Sequence, residues 1–235
     1  MILAGGKGTR LAPYTTILPK PLMPVGEMPI LEIVLRQLKF YGIKRVTLAV
    51  GHLAELIQAF FDSGRKIGLE INYSIEEKAM GTVGPLTLLD DLDETFLLMN
   101  GDVLTTLDYA DLIRFHTEKK ATATIATKVR SVNIDFGIVK MDNSCELIDY
   151  IEKPTMDYHV SMGIYVFQSA VLKYLKKGEY FDFPDLIKRL LSLGEKVVSY
   201  PFAGYWLDIG RPEDYQKAGE EFDLRKREFL RDAKT

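Results

Sequence analysis

The chain has 235 residues, 47% of them hydrophobic and 27% charged, and a net charge of −3, which suits an ordinary globular α/β protein with ample core. That charge excludes a global attraction to nucleic acid or anionic membrane, so any phosphate-binding positive charge must be local. The single cysteine, Cys145, excludes an internal disulfide, and no run approaches the ~20 apolar residues that span a bilayer.

Met1-Ile2-Leu3-Ala4 reads as a short buried strand, not the start of a signal peptide. The expectation is a cytoplasmic protein. A loop rich in Gly and Pro runs through Pro29. Ile30 to Tyr41 carries Ile30, Ile33, Val34 and Leu38 at helical spacing and stops at Gly42. Arg45–Val50 is a β-branched run, Leu53–Phe61 is helical, and Leu69–Ile75 alternates with Ile71, Tyr73 and Ile75 on one face. Thr95–Met99 is an apolar strand and Asp108–Lys119 an amphipathic helix. This alternation predicts an α/β fold with a mainly parallel sheet covered on both faces.

The second half is richer in strands: Ala121–Lys128, Gly137–Met141, Glu146–Ile151 and His159–Phe167. Helices are expected near Ser169–Leu175 and Pro184–Leu193, a strand at Val197–Pro201, and a charged helix from Pro212 to about Asp232. No linker or repeat interrupts the chain, so residues 1–235 read as one domain in which the later strands extend or flank the same sheet.

Gly5-Gly6-Lys7-Gly8-Thr9-Arg10 directly follows the first strand. Glycines there allow positive φ and bring N–H groups against an anion, at the strand end where open α/β sheets bind ligands. The chain contains no Walker A string, and a dinucleotide fingerprint starting at Gly6 fails because position 11 is Leu11. Arg10, beside such a cradle, is suited to gripping two phosphate oxygens. Pro19 and Pro21 bracket Lys20 and present it rigidly.

Asp102 follows an apolar strand and a glycine. Asp208 follows the only tryptophan, Trp206. Magnesium takes few carboxylates and completes its shell with water and substrate phosphates, so these two aspartates are candidates to share one ion. Each alone is equally explained as a turn former or a helix cap. His52, His116, His159 and Cys145 have no partner spacing that marks a catalytic set. His52 is expected at a turn or cap, although it could line a pocket.

The string Leu3-Ala4-Gly5-Gly6-Lys7-Gly8-Thr9-Arg10-Leu11-Ala12-Pro13, followed by Pro19-Lys20-Pro21, resembles the signature of sugar-phosphate nucleotidylyltransferases. Asn100-Gly101-Asp102 resembles the family's metal-binding strand end. Glu152-Lys153-Pro154 resembles its sugar-phosphate lysine, and Tyr205-Trp206-Leu207-Asp208-Ile209-Gly210 its second metal aspartate. The resemblance implies a Rossmann-like mixed sheet of the nucleotide-diphospho-sugar transferase type and Mg2+ held by Asp102 and Asp208. It implies that Arg10, Lys20, Asp102, Lys153 and Asp208 carry the reaction. The nucleotide would meet Ala4, Gly5, Gly6, Gly8, Thr9, Arg10, Lys20, Glu76, Gly81, Thr82 and Asp102. Gly137, Glu152, Lys153 and Gly163 would meet the sugar phosphate.

Glu76 to Leu86 occupies the family's base-recognition position, and Gly81-Thr82-Val83-Gly84-Pro85-Leu86 looks most like mannose-1-phosphate guanylyltransferases. An ionised Glu76 only accepts hydrogen bonds, matching the N1 and N2 donors of guanine. The expectation is GTP with mannose 1-phosphate. Heptose 1-phosphate, or CTP, UTP or dTTP as the nucleotide, remain alternatives, and a non-catalytic sugar-nucleotide sensor is a further one. Many such relatives carry a left-handed β-helix after the catalytic domain, whereas this chain continues into a charged helix that could support a homo-oligomer.

Overall fold

The computed structural model describes residues 1–76 and 78–231. Strand β1 (Ile2–Leu3) leads into the glycine loop and three short 3-10 turns, then a small hairpin of β2 (Pro24–Val25) and β3 (Met28–Pro29). Helix α1 (Ile30–Phe40), β4 (Arg45–Val50), α2 (Ala54–Phe61) and β5 (Glu70–Ile75) follow. A 3-10 segment at Gly84–Leu88 precedes β6 (Thr95–Asn100), β7 (Val103–Thr105) and α3 (Tyr109–Lys119). Next come β8 (Ala123–Asn133), β9 (Ile138–Met141), β10 (Leu147–Ile151) and β11 (Thr155–Gln168). The chain continues through a 3-10 segment at Ser169–Tyr174 to α4 (Phe183–Ser192), β12 (Val197–Pro201), β13 (Trp206–Asp208) and α5 (Pro212–Phe229). The expected helix end at Asp232 lies outside the described residues, as does Glu77.

The central sheet has seven strands in the order β12-β8-β11-β6-β1-β4-β5. Only β11 runs against its neighbours; the pairs β12/β8, β6/β1, β1/β4 and β4/β5 are parallel. The predicted α/β class, a mixed and mostly parallel sheet flanked by helices, is the one observed. α1 forms because Ile30, Leu31, Ile33, Val34, Leu35 and Leu38 fall on one side and are all buried, while Arg36 pairs with Glu32 one turn away in solvent. It stops where Gly42 takes φ +86 and donates its N–H to the Lys39 carbonyl, with Ile43 reaching back to Leu38. The side chain of Asp108 caps α3 through the Asp111 N–H at 2.9 Å. No described helix is long and apolar enough to cross a membrane.

Three features go beyond the sequence pattern. Ile75 is 56% exposed, not packed with Ile71 and Tyr73. The strand has reached the end of the sheet there, beyond the cover that α2 gives to Ile71. β8 and β11 are longer than their apolar runs, because the hydrogen-bonded ladder continues from Lys128 to Asn133 against Thr155 to Val160 after burial has ended. β9 and β10 do not join the central sheet; they form a separate two-stranded hairpin beyond that extension. The extension and hairpin make an arm whose apolar side chains, among them Phe136, Leu147, Ile148 and Tyr150, are exposed.

His116 is fully buried on α3, where Nδ1 meets the Thr124 hydroxyl at 2.8 Å and Nε2 meets the Gln168 amide nitrogen at 3.1 Å. Its role is structural, a polar tie between the helix and two strands. Burial lowers its pKa from the ordinary 6.5, so the fold selects the neutral ring. Because the folded value lies below the unfolded one, this contribution is complete above pH 6.5 and is lost as pH falls from there through the lowered value. Denaturant titrations at pH 7 and pH 5 should show wild type losing more stability on acidification than His116→Gln.

Candidate active site

The glycine loop, the Gly101 turn and the Gly51 turn all leave the same edge of the sheet, at the carboxyl ends of parallel strands β1, β6 and β4. Between them opens a cleft of about 780 Å³, a volume typical of small-molecule sites. Its walls include the whole run Ala4–Arg10, with Lys20, Glu76, Gly81, Thr82 and Asp102. Every residue expected at the nucleotide thus lines one cleft.

The backbone explains the sequence of the loop. Gly8 takes φ +61, and its carbonyl accepts from the buried Thr15 hydroxyl at 2.8 Å and from the Leu11 N–H at 2.8 Å. A side chain at Gly5 would press against Gly51 and the Glu76 carboxylate. The N–H groups of Gly6, Lys7 and Gly8 donate to no protein group among the described residues. Free main-chain donors around a left-handed turn are a built anion cradle.

Four charged side chains from distant parts of the chain meet beside this cradle. β7 pairs with β13, placing Asp208 opposite Val103, and the Ile209 N–H donates to the Asp102 carbonyl at 3.2 Å. Asp102 and Asp208 are thereby held as neighbours. Lys20 donates to Oδ2 of Asp102. The Arg10 guanidinium lies over Gly210, where a Cβ would come within 3.4 Å of both terminal nitrogens and 3.3 Å of Asp208 Oδ2. The Asp208 carboxyl is pushed above its ordinary pKa, first by burial and then by the charge of Asp102, with Lys20 and Arg10 opposing.

These residues fit a divalent cation. Oδ1 of Asp102 is buried without a hydrogen-bond partner among the described residues, beside a second desolvated carboxylate. The described residues contain no group of three or more His, Cys, Asp or Glu able to hold a metal. An ion here would therefore draw on two protein carboxylates and take the rest of its shell from water and substrate phosphates, the arrangement magnesium favours.

The expected sugar-phosphate residues are divided. Gly163 sits at the β-bulge between Ser161 and Tyr165 with φ +73, where a Cβ would clash with the side-chain amide of Asn100, a cleft residue. It is close to the cleft. Gly137, Glu152 and Lys153 lie instead on the arm, outside the cleft lining. Tyr150 packs on Gly137 so closely that any Cβ would collide with its ring, and its hydroxyl donates to Glu152 at 2.8 Å. Lys153 is exposed, has φ +41 and makes no ion pair among the described residues. Left-handed backbone at a non-glycine residue is a strained conformation that clusters at functional sites. β8 is parallel to β6, so the arm leaves the sheet from the same edge as the cleft.

His52 sits in the turn where it was expected, its N–H closing that turn onto the Gly5 carbonyl at 3.2 Å, and it also lines the cleft. Sequence reasoning missed other walls. Lys78, Met80 and Tyr180 line it too. Tyr180 lies about 100 residues from the loop it faces, in a segment with no recognisable motif, so no local signal could have found it.

Comparison with known proteins agrees with this geometry. A family model described as "Nucleotidyl transferase" matches residues 1–224. The chain is similar to a UTP–glucose-1-phosphate uridylyltransferase of Synechocystis sp., 34% identical over 93% of this chain and 61% of the relative. A mannose-1-phosphate guanyltransferase of Yarrowia lipolytica is 34% identical over 92% of this chain and 61% of the relative. A mannose-1-phosphate guanylyltransferase of Mycobacterium tuberculosis is 32% identical over 94% and 63%. The chain therefore spans a little over three fifths of the length of these relatives. Among solved structures, a Bacillus anthracis chain described as a glucose-1-phosphate thymidylyltransferase, in complex with sucrose, has a TM-score of 0.75 at 27% identity, covering 100% of this chain and 95% of that one. HddC of Yersinia pseudotuberculosis has the same fold, with a TM-score of 0.74 at 24% identity over 94% and 97%. With the glycine loop, the paired aspartates and a match over nearly its whole length, the chain belongs to the nucleotidyl transferase family.

Proposed function

We propose that the protein is a sugar-1-phosphate nucleotidylyltransferase, with GTP and mannose 1-phosphate as its preferred substrates and residues 1–235 forming its catalytic domain. The observation that carries the activity is the convergence of Arg10, Lys20, Asp102 and Asp208 beside an unpaired main-chain cradle at the mouth of the cleft. A phosphate oxygen of the sugar phosphate forms a bond to the α-phosphorus of the nucleotide. The bond from that phosphorus to the bridging oxygen breaks, and pyrophosphate leaves with the electron pair. The attacking group is already an anion, so no general base is required. The demand is to hold two polyanions together and to stabilise charge on the leaving group.

The chain's residues divide that work. The N–H groups of the loop and Arg10 hold the triphosphate and the departing pyrophosphate. Lys20 neutralises charge next to the reacting phosphate. Lys153, aided by Glu152 and the close backbone at Gly137 and Gly163, holds the sugar phosphate. Asp102 and Asp208 would hold Mg2+, which supplies charge neutralisation at the phosphate oxygens.

The base rests on Glu76. Its Oε2 accepts from the Met80 N–H at 3.2 Å, while Oε1 lies beside Gly5 in the cleft. Burial raises its pKa, with the Met80 hydrogen bond opposing. The result is a desolvated acceptor suited to the two adjacent donors of guanine. Guanylyl specificity of the Yarrowia and Mycobacterium relatives supports the same reading. The equally similar Synechocystis relative favours UTP and glucose 1-phosphate as the second reading. Pyrophosphate release measured over a matrix of nucleoside triphosphates and sugar 1-phosphates, with magnesium, tests both. No turnover with any pair would sink the activity; turnover with UTP but not GTP would sink only the base. Glu76→Gln is expected to narrow the preference for GTP over UTP by about tenfold or more, because an amide donor then faces guanine's donors.

A further inference from the structure

Resting on the reading of Met80–Gly84 as the loop that faces the nucleobase, we infer that Asp182 is a positioning residue for nucleotide recognition, a latch that sets where this loop stands in the cleft. Asp182 immediately precedes α4, the position where a carboxylate normally caps the first turn. It makes no such cap. Its Oδ1 instead accepts from the Thr82 N–H at 3.0 Å and from the Thr82 hydroxyl at 3.3 Å. Its Oδ2 accepts from the Tyr180 hydroxyl at 2.5 Å. Thr82 returns the exchange: its Oγ1 accepts the Phe183 N–H at 2.6 Å, capping the helix that Asp182 leaves uncapped. The helix start and the loop thus satisfy each other's orphan groups across 100 residues of sequence.

The main chain closes the same seam. The Phe181 N–H donates to the Met80 carbonyl at 2.9 Å, and the N–H groups of Val83 and Gly84 donate to the Phe181 carbonyl at 3.1 and 3.2 Å. Gly81, at φ +76, has room for no side chain, since a Cβ would stand 2.5 Å from that carbonyl and 2.8 Å from Asp182 Oδ1. Both strips of chain reach the cleft, through Met80, Gly81 and Thr82 on one side and Tyr180 on the other. Glu76 is tied to the same loop by the Met80 N–H. A shift of the loop therefore moves the base-reading carboxylate, while the metal aspartates and the arm are held by other elements.

The test compares wild type with Asp182→Ala, Asp182→Asn and Thr82→Val in steady-state kinetics with magnesium, together with hydrogen exchange of the Met80–Gly84 amides. Loss of charge-assisted hydrogen bonds predicts a rise in KM for the nucleoside triphosphate of about tenfold to a hundredfold in Asp182→Ala. The preference between nucleobases should narrow, the KM for the sugar phosphate should stay within about twofold, and the loop amides should exchange faster. Asp182→Asn, which keeps the acceptor for Thr82, should recover most of the loss, and Thr82→Val should reproduce it. Equal losses toward both substrates, or an unchanged nucleotide KM and base preference beside a loosened loop, would overturn the latch. A wild-type protein that turns over no substrate pair refutes the activity and the latch with it. An active wild type with an indifferent Asp182→Ala refutes the latch alone.

Discussion

Asp102→Asn is expected to lower kcat/KM by about 10³-fold or more, a loss of the size associated with removing a principal electrostatic group from a phosphoryl-transfer site. The reason is the position of Asp102. Its Oδ1 is buried and free of any hydrogen bond among the described residues, its Oδ2 is taken by Lys20, and Asp208 faces it from β13. An asparagine removes a charge at the point where a cation would be shared. The fold should survive, because the main-chain links that hold the position, from Gly101 to Leu3 and from Ile209 to Asp102, do not involve the side chain. Removing one carboxylate also relieves the repulsion that helps to raise the Asp208 carboxyl, which offsets the lost Lys20 pair. The melting temperature without metal should therefore change by only a few degrees. Calorimetric titration with Mn2+ gives a readout independent of turnover: wild type should bind, and the variant should bind at least about tenfold more weakly. Activity within tenfold of wild type would remove Asp102 from the reaction.

Much of the site is legible in the letters because its parts are short and local. A glycine loop after a strand, a proline-flanked lysine, and an aspartate after a strand-ending glycine each announce a backbone geometry before any contact is known. The sheet is legible for the same reason: Arg45–Val50 and Val197–Pro201 are found where their β-branched runs place them. The arm is less legible, since β8 and β11 continue as a hydrogen-bonded ladder where burial no longer writes a pattern. Separation along the chain hides the rest. Nothing in the sequence near Asp182 says that its carboxylate will abandon its own helix for Thr82. Asp208 gains its meaning only from the pairing of β13 with β7, which no local run of residues encodes. The resemblance to a known family named Asp208 as a metal aspartate and Lys153 as the sugar-phosphate lysine without that pairing in view.

Lys20→Met gives the second large effect, with a sign on metal binding opposite to its sign on activity. Lys20 and Asp102 are ion-paired with side chains only 11% and 18% exposed, so removing the ammonium leaves Asp102 desolvated next to Asp208 with Arg10 as the remaining nearby cation. Breaking such a pair from one side is costly because the surviving charge is stranded. In EDTA the variant should melt roughly 2–6 °C below wild type, the shift expected for about 1–2 kcal/mol in a chain of this size. Magnesium should close most of that gap, because an ion that binds only the folded state stabilises it by mass action and now meets two carboxylate oxygens without a competing ammonium. The divalent affinity of the free protein should accordingly rise several-fold. Turnover should nonetheless fall by about 10²- to 10³-fold, since the charge proposed to neutralise the reacting phosphate is gone. Lys20→Arg should keep the fold and recover only part of the rate, as a planar fork held between Pro19 and Pro21 cannot reproduce the reach of a point charge. A loss of stability that magnesium does not repair would mean that Lys20 serves the rigidity of its loop and not the charge balance of the two aspartates.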